Sequence, residues 1–511
     1  METDRKNFEE RIKRAYDFLS RVSVEASRDI FLLSNQVISK NPLGSNFLNS
    51  YLFRTPPLHH SLSKIVIKIF RYYGCSIAAL VLYVVTFITL AVVKAGFKTS
   101  DSDDELIIVD TFFLADEIMQ AGKFQEKYFL GLEAILKKLK KKYVYLPVFY
   151  GLQNPFKLYS LLSILKKDGV PILSEYQLLS GSDIIHLIYF IIVYPWHVIW
   201  FLRKLNKNNE YESQLLCSEL LATIGSVTFH GYSRYLQGKR ISELPSKKIK
   251  VISWYENQVI HKNLYKGLRS DKHKISIYGA QLFLYSMTDL NIIPDERELV
   301  HGVIPDTIIV NGPVFVPPSS KLVYKVGPSL RYHKLFEAGL SPKEKNHILI
   351  LLSYDKNDSR NMMRIVNESE LFEEKVLIKA HPATPIDRFG DLLSNRFKVV
   401  YDNVYDLFGI SKIVIGCASG SLIEAASSGI PVIVVNDRAR FRYDILPEYG
   451  RGMIWDEAND ARDLTALVSK FENTIENHQD DIATVAGNYK KMFFSEPTQK
   501  NIIEAFDLDN R

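Results

Sequence analysis

From residue 105 onward, short apolar runs alternate with stretches of helical spacing. ELIIVDTFF (105–113), YVYLPVFY (143–150), Val170–Leu173, IKVISWYE (249–256), KISIYGAQ (274–281) and DTIIVNG (306–312) have the length and β-branched content of buried strands. Tyr128–Lys141, Leu158–Lys167 and Tyr211–Gly225 read as helices between them. A second series begins near residue 345, with strands HILILLSYD (347–355), KVLIKAHP (375–382), KVVYD (398–402), KIVIGCASG (412–420) and PVIVVND (431–437). Helical stretches near 385–395, 403–410 and 421–429 separate these strands, and a longer helix follows at Ala458–Asn477. The pattern predicts the α/β class, with two Rossmann-like domains of mostly parallel strands facing a cleft. The Pro- and Gly-containing stretch 312–345 reads as the hinge. In such sheets ligands sit beyond the carboxyl ends of strands, so the informative residues should be those that come just after strands in both halves.

Two longer apolar runs break the alternation. Tyr72–Val93 has 22 residues without a charge, and Ile184–Leu202 has 19, including two Trp, two Tyr, two His and a Pro. Each is long enough to meet a bilayer core. The first starts too late for a cleaved signal peptide. The aromatics and Pro of the second suit an interfacial segment. Either run could also be a buried core helix. If both crossed a membrane, residues 99–183 would be separated from the rest of the first half, so embedded or surface-lying segments are expected.

Charge sharpens this picture. The chain has 511 residues, 64 basic and 58 acidic side chains, for a net charge of +6. From Ile30 to Ser100 there is no Asp or Glu and there are seven Lys or Arg, so removing those seven leaves 57 basic against 58 acidic. The excess positive charge surrounds the first apolar run, which favours an anionic membrane over nucleic acid as its partner. Three separated cysteines exclude a disulfide scaffold or a Cys-based zinc cluster. The expected organisation is a membrane-associated helical segment (1–104), opening on a polar helix (1–28) and ending in an acidic linker. A first Rossmann-like domain (105–325) carries the insertion 184–202. A second Rossmann-like domain (345–490) and a helical tail (491–511) complete the chain.

Candidate chemistry lies after the strands of the second half. Lys379-Ala380-His381-Pro382 comes after VLI, and an imidazole there can donate to a phosphate oxygen. About 35 residues on, Ser419, Gly420 and Ser421 end a strand and open a helix, where backbone N–H groups and hydroxyls would meet an anion. Ser421-Leu422-Ile423-Glu424 also fits a capping box, in which those side chains only cap the helix. Asp101-Ser102-Asp103 precedes a strand instead of closing one and reads as a solvated linker. The lysine cluster 137–142 reads either as a solvated helix end or as a membrane contact.

The order K-A-H-P, then strand–GCASGS–LIEA–SSGIPVIV, resembles the donor-binding domain of GT-B glycosyltransferases of bacterial capsule and lipopolysaccharide (O-antigen) assembly. It is most similar to the Kdo and sialic acid transferases, which use CMP-sugars. Trp254-Tyr255-Glu256-Asn257-Gln258, Lys266-Gly267-Leu268-Arg269, Tyr278-Gly279-Ala280-Gln281, Pro305-Asp306 and Val310-Asn311-Gly312 match a surface-carbohydrate pattern in the same order. The resemblance implies a GT-B fold and a metal-independent transferase with no cofactor beyond its nucleotide-sugar substrate. It implies donor binding by Lys379, His381, Pro382, Ser419, Gly420, Ser421 and Glu424, with Tyr278 and Gln281 on the acceptor side. It also implies a lipid-linked glycan acceptor, the cytoplasmic face of the plasma membrane, and no nucleic-acid partner. The acidic-acidic-Gly motif of the sialyltransferases is missing. Glu256, at the end of KVISWY, is the substitute base, unless it pairs with Lys262 or Arg269. A nucleotide-sugar 2-epimerase shares the architecture but carries an acidic residue where this chain has Cys417-Ala418. A noncatalytic scaffold of a glycan-assembly complex is the third reading.

Overall fold

The computed structural model describes residues 2–38, 46–57, 62–93, 105–152, 154–205, 210–225, 227–270, 275–286, 289–337, 345–371, 375–381, 384–417, 419–436 and 446–509. The Asp101-Ser102-Asp103 linker and Pro382 lie outside them.

Six strands form the first sheet: β1 (Glu105–Leu114), β2 (Tyr143–Tyr150), β3 (Lys248–Trp254), β4 (Ile275–Gln281), β5 (Thr307–Val310) and β6 (Tyr324–Val326). Their order is β2-β1-β3-β4-β5-β6, all parallel. The second sheet holds β7 (His347–Leu351), β8 (Lys375–Lys379), β9 (Phe397–Val399), β10 (Ser411–Gly416), β11 (Val432–Val435) and β12 (Trp455–Ala458). It runs β12-β11-β10-β7-β8-β9, again all parallel. Central strands read as unbroken apolar runs because helices cover both faces. In register, Val109 of β1 lies between Tyr145 and Ile252, and Ile415 of β10 between Ile350 and Ile433. Each sheet reverses its strand order once, between β1 and β3 and between β7 and β10, and these reversals open the crevices where ligands bind in such sheets.

Three expectations change. Val170–Leu173 contributes only a single bridge, Ile172 to Tyr145, because Gly169 and Pro171 bracket it too closely for a ladder. The stretch 312–345 is more than a hinge, since it supplies β6, so the first half does not end at 325. The tail does not continue the second half. Helix Gln479–Phe493 crosses 490 and passes Gly312, where an added Cβ would stand 2.4 Å from the Met492 carbonyl oxygen. Helix Gln499–Ala505 then packs on the first half, and Lys250 Nζ donates to the carbonyl oxygen of Phe506 at 3.0 Å. The tail therefore fastens the two halves together.

The N-terminal segment forms a helical layer on the first half. Helix Glu2–Ala26 is tied to it by a fully buried ion pair, Lys262 to Glu298 at 2.7 Å, with Ser23 Oγ 3.0 Å from the ammonium. Both long apolar runs are helical, at Leu62–Val93 and Gly181–Leu205. Helices Val227–Ser242 and Val259–Leu268 cross at Gly238 and Gly267, where a Cβ on either would fall 2.1–2.2 Å from the other helix's carbonyl oxygen. Only glycine permits that approach.

Candidate functional site

A cleft of about 500 Å³ lies between the carboxyl edges of the two sheets. The first half contributes Trp254 and Glu256 after β3, Phe283 and Leu284 after β4, and Arg331 from the 3-10 turn Leu330–Phe336. The second contributes Leu351 and Leu352 from β7, Lys379 to His381 from β8 and Asn403 to Tyr405 after β9. Ser419 to Ser421 and Glu424 come after β10. The β7/β10 reversal thus sits at the centre of the second half's wall. Two Rossmann-like halves sharing such a cleft are the GT-B arrangement.

Glu256 faces the cleft from the first half. Trp254 Nε1 donates to its Oε1 at 2.8 Å and Gln258 Nε2 to its Oε2 at 2.6 Å. Neither Lys262 nor Arg269 pairs with it, because Lys262 is held by Glu298 and Arg269 by Asp306. Its carboxyl is pushed above the usual range by burial, against the opposing pull of Trp254 and Arg331. The next residue, Asn257, has φ 51°, a left-handed conformation that ends the strand sharply. Asn257 is fixed there by Tyr255, whose hydroxyl donates to it at 3.0 Å, and by its own bond to the Asn291 carbonyl at 2.8 Å. That turn aims Glu256 into the cleft.

Across the cleft, burial first and Arg331 second hold the His381 imidazole below its ordinary pKa, so it stands neutral at pH 7. Glu424 is buried at the foot of helix Ser421–Ser427, and the Tyr405 and Ser421 hydroxyls donate to it. Burial raises its pKa. Gly420, not Ser421, holds the cap position, so the capping box does not form. Ser419 Oγ instead takes the Ser421 N–H at 3.3 Å. Gly420 is small for a different reason than anion access: a Cβ there would lie 3.0 Å from Leu284 Cβ of the other half. Lys379 lines the cleft, but its ammonium bonds the Asp402 carbonyl at 2.7 Å and so braces the loop after β9.

Of the residues expected from sequence, Glu256, Lys379, His381, Ser419, Gly420, Ser421 and Glu424 meet in this cleft. Tyr278 and Gln281 do not. The Tyr278 hydroxyl donates to Asp507 of the tail at 2.7 Å, and Gln281 is buried with its amide on the Ile292 carbonyl at 2.8 Å. Being on β4, both point into the layers that cover the sheet. In the lysine cluster, Lys137 pairs with Glu133 and Lys141 with Glu105, each at 2.7 Å.

Arg331 was not visible from sequence, because it stands in the stretch that reads as a hinge. Its guanidinium makes no hydrogen bond or ion pair among the described residues and lies 6.0 Å from the centre of the Tyr128 ring. Gly327-Pro328-Ser329 just before it, breaking the chain after β6, was the available signal. Asp289 was missed as well. Burial and the nearby Glu256 push its carboxyl up to about 7. Among the described residues no group of three or more His, Cys, Asp and Glu could hold a metal.

No family model matches the chain, and no curated protein does. Solved structures match the chain at low similarity. UDP-GlcNAc 2-epimerase from Neisseria meningitidis bound to UDP-GlcNAc is 10% identical, covers 79% of this chain and 100% of its own, and has a TM-score of 0.44. The glycosyltransferase SnogD from Streptomyces nogalater is 11% identical over 80% and 99%, at 0.41. The wall teichoic acid polymerase TagF is 10% identical over 86% and 97%, at 0.35.

Proposed function

We propose that the protein is a GT-B glycosyltransferase that moves a sugar from a nucleotide-sugar to a lipid-linked surface glycan. The observation that carries this is the composition of the cleft. A guanidinium unpaired among the described residues, Arg331, stands with neutral His381 and the Ser419–Ser421 turn, and a raised carboxylate, Glu256, faces the same space. A guanidinium without a carboxylate partner has its donor fork open to phosphate oxygens. As the bond from the sugar to the donor phosphate breaks, the departing phosphate gains charge, and Arg331 and His381 would stabilise it there. Glu256 would take the proton of the acceptor hydroxyl, and a raised pKa brings its basicity closer to that task. Glu424 would bind the ribose hydroxyls, as the sequence resemblance implies. A single phosphate as in CMP-sugars fits this set of one arginine and one histidine. The proposed location is the cytoplasmic face of the membrane.

The deciding experiment is a thermal-shift screen against CMP, CDP, UDP and GDP compounds, because a ligand that binds only the folded state raises its apparent stability. Product analysis with and without acceptor comes next. Sugar transferred only when acceptor is present supports the proposal. Epimerised nucleotide-sugar without acceptor would establish the epimerase reading instead. Binding with no turnover on any acceptor would favour a scaffold, and no binding at all would remove the nucleotide-sugar reading.

A further inference from the structure

The two long apolar helices pack on the first half, and the first of them does so in an inverted sense. On Leu62–Val93 the inward stripe is Tyr72, Ser76, Tyr83, Thr86, Leu90 and Val93, all buried. It carries four hydroxyls. From Gly74 to Val92 the exposed positions include Ile77, Val81, Val84, Phe87, Ile88 and Val92, and none of the exposed ones is charged. A helix facing water turns its polar side outward. This one turns its hydroxyls inward and its aliphatic side out, with Val92 66% exposed.

Gly181–Leu205 beside it is apolar on both its inward and much of its outward side. Leu187, Phe190, Tyr194, Val198 and Phe201 are buried, while Ile185, Ile188, Ile192, Trp196 and Trp200 face out, both tryptophans 61% exposed. The helices touch through Tyr72 and Tyr194, whose ring centres are 5.5 Å apart, and through the Tyr73 hydroxyl on the Ile192 carbonyl at 3.0 Å. Their outer sides therefore make one continuous apolar surface, larger than the isolated apolar residues a soluble surface tolerates. Exposed Lys64 and Arg71 stand at one end of the first helix, and exposed Arg203 closes the second.

We propose that this composite face lies in the plane of an anionic lipid leaflet and that neither helix crosses the bilayer. The first helix is packed along most of its length. Tyr72 contacts Tyr194 near one end, Tyr83 meets Tyr176 at 4.7 Å in the middle, and Lys166 Nζ caps the Val93 carbonyl at 2.9 Å at the other. A crossing would carry those partners, and the edge of the sheet behind them, into hydrocarbon, where their polar groups would lose water. The whole helix has 32 residues and is about 48 Å long. Lying flat, its outer side enters the leaflet only about 5–10 Å. Tryptophans at the headgroup level and basic residues at the ends are what such a surface meets there. This inference does not depend on the chemistry of the cleft.

The test measures depth, not activity. Cys75 is exposed on the outer side, while Cys217 and Cys417 are buried, so a maleimide dye labels position 75 in the full-length protein. Val84→Cys and Val92→Cys in a Cys75→Ser background supply two more positions. The protein is bound to phosphatidylcholine vesicles containing phosphatidylglycerol and lipid-borne quenchers at set depths. Equal quenching of all three dyes, strongest with the shallow quencher, is expected. Deep quenching at 84 with shallow quenching at 75 and 92 would show a span and overturn the proposal. So would failure to float with vesicles, or protection of the dyes by self-association without lipid. Trp196→Ser with Trp200→Ser should weaken vesicle binding at least about tenfold and leave thermal unfolding unchanged, since both rings face outward.

Discussion

The two halves share one topology, six parallel strands with a single reversal of order, yet they carry different things. The second half is close to a bare Rossmann unit. Its cleft residues are largely self-satisfied: Lys379 braces a loop, Ser419 holds a backbone N–H, and Glu424 takes hydroxyl donors. The first half supplies the open cation, Arg331, and the raised carboxylate, Glu256. It also bears the helical layer with the outward apolar face. One half is thus nearly a bare sheet-and-helix unit, and the other carries the added layer. Similar sheets do not imply similar duties, because the cleft residues sit just past the strands while the apolar face comes from one helix ahead of β1 and one between β2 and β3.

The largest effect should come from the first half's carboxylate. Glu256→Gln keeps the shape and the bond from Trp254 but removes the base, and turnover should fall about 10²–10⁴-fold with nucleotide affinity nearly unchanged. Steady-state rates and calorimetric titration on the same sample check both parts. Near-wild-type turnover would return Glu256 to a purely structural role and erase the contrast between the halves. In wild type the rate should rise with pH through a midpoint above the ordinary carboxylate range, since burial raises the Glu256 pKa and the deprotonated form is the base.

Next in size is the open cation. Arg331→Ala should weaken nucleotide binding by about tenfold to a hundredfold, which corresponds to one or two charge-assisted hydrogen bonds. Arg331→Lys should recover only part of this, because an ammonium lacks the guanidinium's planar fork. Unchanged affinity in Arg331→Ala would move the phosphate contact to the second half.

The way these residues came to light shows what sequence can carry. Glu256, His381, Ser419 and Glu424 could be read because each lies just past a strand whose apolar run is unmistakable. Arg331 lies past β6, three residues long and only partly buried, whose hydrophobic signal is too short to stand out against a Pro-rich stretch. β12 was missed for a related reason: its sequence is Trp-Asp-Glu-Ala, an edge strand with two acidic side chains. The placement of Tyr278 failed because a strand pattern gives alternation but not which layer covers each side. Here the tail covers one side, a contact across more than 200 positions of sequence. The inverted helix could not be oriented from its sequence, since a hydroxyl stripe would ordinarily be placed toward water and only packing shows that it faces inward.

The tail that joins the halves gives a smaller, structural contrast. At Gly312 a Cβ would strike the backbone of Met492 and Phe493, whereas at Gly487, on the same helix Gln479–Phe493, nothing lies within 4 Å. Gly312→Ala should destabilise by about 1–3 kcal/mol through overpacking. Gly487→Ala should stabilise by about 0.5–1 kcal/mol through helix propensity alone. Chemical denaturation of both variants reads the difference directly. Two equal values would mean that the tail does not clasp the first half at Gly312.

A last contrast is a pH dependence seated behind Glu256. Asp289 caps the 3-10 turn Leu290–Ile292 without a side-chain bond, and one of its oxygens has no partner among the described residues. Burial first and the charge of Glu256 second raise its pKa from 3.8 to about 7. Between those values the folded protein holds a proton that the unfolded chain has lost, so stability falls as pH rises across that window. The contribution is complete below the unfolded value and gone above about 7. Asp289→Asn is neutral throughout and should lack this part of the slope. The stability of wild type relative to the variant should therefore decline from acid to neutral pH, by no more than about 1.4 kcal/mol per unit. Placing Asp289→Asn in a Glu256→Gln background separates the two causes. If burial dominates, the decline persists there with its midpoint shifted modestly downward. If it disappears, the charge on Glu256 was the main cause, and the two carboxyls titrate as a single coupled pair on the first half's side of the cleft.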